Sequence, residues 1–177
     1  AGLIHRDFKP DNVLVATEAG LLRPRVLDFG IARAAAGDDE PPDESAVLAD
    51  TARGDPNLHL TTTGMLLGTP AYMAPEQFLA QRVDPRTDQF SFCVALWEAL
   101  FDQRPFAGDS LSALASNVLQ HRLRPPPPGA RVPERITAAL RRGLSLEPGD
   151  RFADMPALLA ALAPAAAHKP RRLSLAL

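Results

Sequence analysis

Two short segments constrain this chain more than any other feature. The first is His5-Arg6-Asp7-Phe8-Lys9-Pro10-Asp11-Asn12, and the second is Asp28-Phe29-Gly30. Asp7 and Asn12 stand five residues apart in a proline-bearing loop, and Asp28 returns sixteen residues after Asn12. Carboxylate and amide oxygens are the hard donors that Mg²⁺ prefers. Lys9, two residues after Asp7, adds a cation where negative charge would need stabilising. Phosphoryl transfer asks for this combination: a base near the acceptor, metal-held phosphates and accurate positioning. Each segment alone is a weak signal, since a three-residue match arises by chance and Asp-Phe-Gly makes a serviceable turn anywhere. Their order and spacing are what carry weight.

The remaining chain predicts short β structure followed by helices. Val13-Leu14-Val15 and Arg25-Val26-Leu27 are β-prone runs flanked by turn residues. Residues 34–60 hold seven acids (Asp38, Asp39, Glu40, Asp43, Glu44, Asp50 and Asp55) against Arg53 alone, the composition of a solvated loop. Order is expected to return with Thr61-Thr62-Thr63 and with Gly68-Thr69-Pro70-Ala71-Tyr72-Met73-Ala74-Pro75-Glu76. From Pro85 to Phe101, Phe90, Phe92, Val94, Leu96, Trp97, Leu100 and Phe101 surround the helical circumference, which predicts a buried helix. Leu111, Leu114, Ala115, Val118 and Leu119 have the spacing of an amphipathic helix. Ile136, Ala139 and Leu140 predict another, with Gly143 as its stop. Met155, Leu158, Leu159 and Leu162 predict the last, and the tail 164–177 reads as a basic linker.

Composition excludes more than it identifies. A chain of 177 residues with 46% hydrophobic and 23% charged content suits one soluble domain. A net charge of −2 gives no reason to expect nucleic acid as a partner. The single Cys93 rules out an intrachain disulfide and fits a reducing, cytoplasmic setting. No apolar run is long enough to span a bilayer, so membrane attachment is expected only outside this stretch. Cys93 and Trp97 read as core residues, and His59, His121 and His168 lack companions at metal-ligand spacing.

Taken together, residues 1–163 resemble the C-terminal lobe of a bacterial Hanks-type serine/threonine protein kinase, most like those of myxobacterial type. The resemblance implies that Asp7 is the catalytic base and that Lys9 contacts the transferring γ-phosphate of ATP. Asn12 and Asp28 would hold Mg²⁺. Gly68 to Glu76 is similar to a substrate-docking loop, with Thr69 bridging towards Asp7. Asp88 resembles the anchoring aspartate of the central helix, and Arg151 the arginine that pairs with Glu76. Arg6 implies control by a phosphate on the activation segment, expected at Thr61 or Thr63. That segment, from Asp28 to Glu76, spans 49 residues, longer than is usual for the family.

The same family grips ATP with a Gly-rich loop and a strand lysine. This sequence has two lysines, Lys9 in the loop and Lys169 in the tail, and no GxGxxG pattern. The expected fold is therefore mainly α, a protein-kinase-like C-terminal lobe with a short β-hairpin region near the N-terminus and the N-terminal β lobe absent. The expected activity is ATP-dependent phosphorylation of protein Ser/Thr hydroxyls by the parent, with this stretch inactive alone. A non-catalytic docking module is the alternative. A small-molecule phosphotransferase is disfavoured by Lys9 and by the docking-loop run.

Overall fold

The computed structural model describes residues 3–18, 20–28, 33–34 and 69–164, with residues 33, 34 and 69 in backbone only. Residues 35–68, which include Thr61 and Thr63, and the tail after residue 164 lie outside the described residues. What is described is two small antiparallel sheets followed by a helical body. Strand β1 (Leu3–Ile4) pairs with β4 (Arg33–Ala34), a pairing that no sequence pattern suggested. Strands β2 (Val13–Glu18) and β3 (Leu21–Val26) form a hairpin in which Val13 faces Val26 and Glu18 faces Leu21. The strands run further than the β-prone triplets predict, because pairing carries polar residues along with apolar ones. Glu18 and Arg25 share one face of the hairpin and form an ion pair. Gly20, at φ +76°, supplies the left-handed backbone that the tight connection needs.

Among the described residues five α-helices follow: α1 (Pro75–Phe78), α2 (Pro85–Phe101), α3 (Leu111–Leu119), α4 (Glu134–Gly143) and α5 (Met155–Leu162). Their starts are set locally. Asp84 caps α2 by accepting from the Arg86 amide at 2.7 Å, with Pro85 pre-set for the first helical position. Ser110 caps α3 through the Ala113 amide, and Asp154 caps α5 through the Ala157 amide.

Helix α2 is the axis of the body. Phe90, Cys93, Val94, Trp97 and Phe101 are buried in a core shared with Phe106, Leu114, Val118, Leu140, Leu144 and Leu158. Phe90 stacks on Phe106 at 5.9 Å, and Trp97 meets Phe101 at 4.7 Å. The expectation of burial on all sides is met only in part. Leu100 is exposed, Phe92 and Leu96 are half-buried, and the N-terminal half instead buries the polar Thr87, Gln89 and Ser91. Thr87 bonds Glu76 of α1, Gln89 donates to the Phe152 carbonyl, and Ser91 donates to the Tyr72 carbonyl.

Gly143 ends α4, as expected, and has a second role in packing. A Cβ there would run into Cys93 Sγ of α2. Its smallness sets the approach of two helices. Burial pushes the Cys93 thiol up to about 12, which makes it an inert core group. Gly143→Ala should destabilise the fold by about 1–3 kcal/mol through overpacking, and adding Cys93→Ala should recover part of that loss. Denaturant melts of the single and double variants test this. A Gly143→Ala protein melting like the wild type would exclude the close approach.

Candidate active site

The loop after β1 is held in place by long-range bonds, not by its own secondary structure. Ile4 is buried and fixes the entry. Arg6 then adopts φ +67°, a conformation that disfavours side chains bearing a Cβ by roughly 1–2 kcal/mol. Asp88, in the first turn of α2, compensates. Its Oδ2 accepts from the His5 amide at 2.8 Å and its Oδ1 from the Arg6 amide at 2.9 Å. Burial pushes the Asp88 carboxyl above its ordinary range, against the pull of those two amides and of the nearby Arg6 charge.

His5 ties the loop to the second motif. Its Nε2 lies 2.9 Å from the Leu27 carbonyl, and its Nδ1 lies 3.3 Å from the Asp7 amide. A carbonyl only accepts and an amide N–H only donates, so the ring carries its proton on Nε2 and its lone pair on Nδ1. The Leu27 amide in turn donates to the Asn12 carbonyl at 2.7 Å. Both polar groups of the Leu27 backbone are thus bound by the loop, which fixes the residue before Asp28 against Asn12 and His5 despite the intervening hairpin. Asp28 itself is exposed and left-handed, at φ +62°.

Asp7, Lys9 and Asn12 come together on one carboxylate oxygen. Lys9 Nζ lies 3.2 Å from Asp7 Oδ2, and Asn12 Nδ2 donates to that same oxygen at 3.3 Å and to the Asp7 carbonyl at 2.9 Å. The turn Pro10–Asn12, with Pro10 at its start, swings Asn12 back to Asp7. The Asp7 side chain is only 10% exposed, so its oxygens are oriented rather than freely solvated. Because Asn12 is held through its nitrogen, its amide oxygen is turned away from Asp7. That oxygen and the Asp28 carboxylate are hard donors of the kind Mg²⁺ takes, so the residues fit that ion.

The other expected positions are distributed as follows. Arg6 Nε is buried without a hydrogen-bond partner among the described residues. Thr69 opens a one-turn segment, Thr69–Tyr72, but its side chain and the expected bridge to Asp7 lie outside the described residues. Glu76 and Arg151 form a bidentate ion pair at 2.8 and 2.7 Å, with side chains 3% and 0% exposed. Thr87 Oγ1 donates to Glu76 Oε1 at 2.7 Å. Arg151 spends its three remaining N–H groups on the carbonyls of Ser145, Leu146 and Arg86. Burial alone would raise the Glu76 carboxyl, but the hydrogen bonds and charge of Arg151, aided by Thr87, hold it below the usual range.

Several positioning residues escaped the sequence reading. Ser91 Oγ donates to the Tyr72 carbonyl at 2.8 Å, and Tyr72 donates to Glu98 at 2.7 Å, which Arg104 also binds. Gln77 reaches from α1 to the Arg6 carbonyl. The partners of Ser91 and Gln77 are backbone groups, which leave no mark in a sequence pattern. The Pro75-Glu76-Gln77 run offered the one available hint, a glutamine at the third helical position able to reach back over the helix start.

A helical body with this loop and this ion pair defines a class of protein. The protein kinase domain family matches residues 1–160, and the chain belongs to that family. Among its relatives, the serine/threonine-protein kinase Pkn1 of Myxococcus xanthus is 37% identical over 175 residues, covering 96% of this chain and 22% of that protein. The serine/threonine-protein kinase pkn3 of the same organism is 36% identical over 180 residues, covering 97% and 29%. The serine/threonine-protein kinase PknL of Mycobacterium tuberculosis is 33% identical over 163 residues, covering 89% and 34%. The chain therefore spans no more than about a third of the length of these relatives.

The geometry of the ion pair sets a measurable pH dependence. Removing one partner leaves a buried charge unmatched, so Arg151→Met should cost about 3–5 kcal/mol. Because the folded Glu76 titrates below its unfolded value of ~4.3, its contribution is complete above that value and is lost as the pH falls through the folded pKa. The stability gap between wild type and Glu76→Gln should be flat above about pH 5.5 and narrow below about pH 4. Urea titrations across that range check it, and a gap that stays constant would show the carboxyl to be unperturbed.

Proposed function

We propose that this chain is the C-terminal lobe of an ATP-dependent protein serine/threonine kinase. The observation that carries the reading is the Asp7 carboxylate. One of its oxygens is occupied by Lys9 and Asn12, which leaves the other to accept the hydrogen bond of a substrate Ser or Thr hydroxyl. Asp7 would then orient that hydroxyl and take its proton as the oxygen attacks. Lys9, within ion-pair distance of the base, puts its charge where the γ-phosphate would arrive. Asn12 and Asp28 would hold Mg²⁺, which when bound neutralises charge on the phosphates of ATP. The protein substrate would dock along Thr69–Glu76, a segment that Ser91, Thr87 and Arg151 hold to the helical body.

The nucleotide-gripping elements are proposed to lie elsewhere in the parent protein. The sequence here supplies neither a Gly-rich loop nor a lysine other than Lys9 and Lys169. The hairpin β2–β3 supports the same reading from another side. Val15, Pro24 and Leu22 share one face, where Leu22 is 73% exposed and Val15 57%. A two-stranded hairpin with such a face is marginal by itself, and an apolar cover on it suits the second lobe of a kinase. Regulation is proposed to run through Arg6. A phosphate on Thr61 or Thr63 would add about −1.5 to −2 charges and acceptor oxygens for its guanidinium, whose Nε is buried without a partner among the described residues. The cellular partners in this reading are ATP and protein substrates in the cytoplasm. Among the described residues no helix is long and apolar enough to cross a membrane.

Radiolabelled ATP and a generic protein substrate test the proposal at two levels. The 177-residue chain alone should transfer no phosphate. The full-length protein should, and Asp7→Asn should lower its turnover by about 10²–10⁴-fold. Asp28→Ala should abolish its Mg²⁺-dependent activity, and the Thr61→Ala/Thr63→Ala double variant should lower activity without touching the loop. Full-length protein that binds peptides but transfers no phosphate would favour the non-catalytic docking module instead.

A further inference from the structure

Gln77 occupies a position whose two hydrogen bonds join the docking segment to the catalytic loop. Its Oε1 accepts from the Ala74 amide at 3.0 Å, and its Nε2 donates to the Arg6 carbonyl at 2.9 Å, across 71 residues of sequence. The first bond caps α1. Ala74 has no side-chain acceptor, so the glutamine supplies the only side-chain half of a reciprocal cap. The second bond has no part in helix α1. It reaches the peptide that joins Arg6 to Asp7.

Arg6 is held at both of its backbone polar groups. Asp88 binds the Arg6 amide and Gln77 binds the Arg6 carbonyl. Arg6 sits at φ +67°, so without its clamps the local backbone would relax towards commoner conformations. Rotation at Arg6 would carry Asp7, the next residue, with it. The chemistry of the clamp is also specific. An amide N–H must meet an oxygen and a carbonyl must meet a donor, so a side chain offering one of each satisfies both, and a carboxylate satisfies one.

We infer that Gln77 is a positioning residue for Asp7, coupling the substrate-docking segment to the catalytic loop through the Arg6 peptide. This rests on the reading of Asp7 as catalytic base. Its effect should appear in turnover and not in nucleotide affinity, since neither bond is made to a residue assigned to phosphate or metal.

Gln77→Glu separates the two bonds. The carboxylate keeps the acceptor for Ala74 and loses the donor to Arg6, whereas Gln77→Met loses both. In the full-length protein, at a pH where the new carboxylate is ionised, Gln77→Glu should lower kcat by about 10–100-fold, the order expected of a misplaced group. KM for ATP should stay within about twofold, and Tm within about 2 °C of wild type, because the cap survives. Gln77→Met should lower both kcat and Tm. Amide hydrogen exchange on the same samples should be faster at Arg6 and Asp7 in both variants. The inference fails if Gln77→Glu keeps kcat within about twofold, if its kcat falls only in step with Tm, or if exchange at Arg6 and Asp7 is unchanged. Exchange is read without turnover, so wild-type protein that transfers no phosphate would refute the kinase reading while exchange still decides the coupling.

Discussion

The rest of the structure depends on Arg151. Its guanidinium has five N–H donors, and each finds an oxygen: two on Glu76, and one each on the carbonyls of Arg86, Ser145 and Leu146. Full satisfaction is what makes a buried charge tolerable, since a fork of fixed geometry loses little freedom on binding a matching carboxylate. The ring of Phe90 lies 5.1 Å beneath it and closes the apolar side. One side chain near the end of the domain therefore fixes α1 against the first turn of α2. Those two elements carry Gln77 and Asp88, the residues that hold the Arg6 peptide. The conformation at Arg6 is imposed from a distance, through a buried pair that itself touches no part of the loop.

Two of the five left-handed non-glycine residues among the described residues lie where chemistry is proposed. Arg6 and Asp28 are both left-handed without being glycine, and each borders or belongs to the group that would handle phosphate. Such conformations persist only where surrounding bonds over-determine them. At Arg6 those bonds come from Asp88 and Gln77. Before Asp28 they come from His5 and Asn12, which occupy both polar groups of the Leu27 backbone. The loop and the segment after the hairpin thus hold each other, and His5 works as a small two-ended connector whose tautomer is set by what it joins.

What the sequence disclosed follows from what each residue must do. Asp7, Lys9, Asn12 and Asp28 were legible as a group because phosphate and cation chemistry admits few residue types. Glu76 and Arg151 were legible only through the resemblance to the kinase family, since they stand 75 residues apart with no local pattern to join them. The helices were legible from apolar periodicity, and Pro85, Leu111 and Met155, read as the first residues of three of them, are where those helices begin, after caps at Asp84, Ser110 and Asp154. Gln77, Ser91 and Thr87 were hidden because they serve backbone groups or a pair already complete on paper. The β1–β4 pairing was hidden because two-residue strands carry no pattern. Gly143 was legible as the end of its helix, but its role as a spacer was hidden, because only the position of Cys93 reveals it.

The hairpin bears on how freely this sequence can vary. Its strands close at the base, where Val13 faces Val26 and Leu27 binds Asn12. Adding or deleting one residue from each strand would move the tip outward or inward and leave the base where it is. The sixteen positions from Asn12 to Asp28 are thus a tether of adjustable length. The five from Asp7 to Asn12 are different, because they cross a single tight turn with a bond to Asp7 at its end. Insertions accumulating over evolutionary time would be absorbed in the first interval and rejected in the second. Sequence distance between two cooperating side chains is a poor measure of how tightly they are constrained.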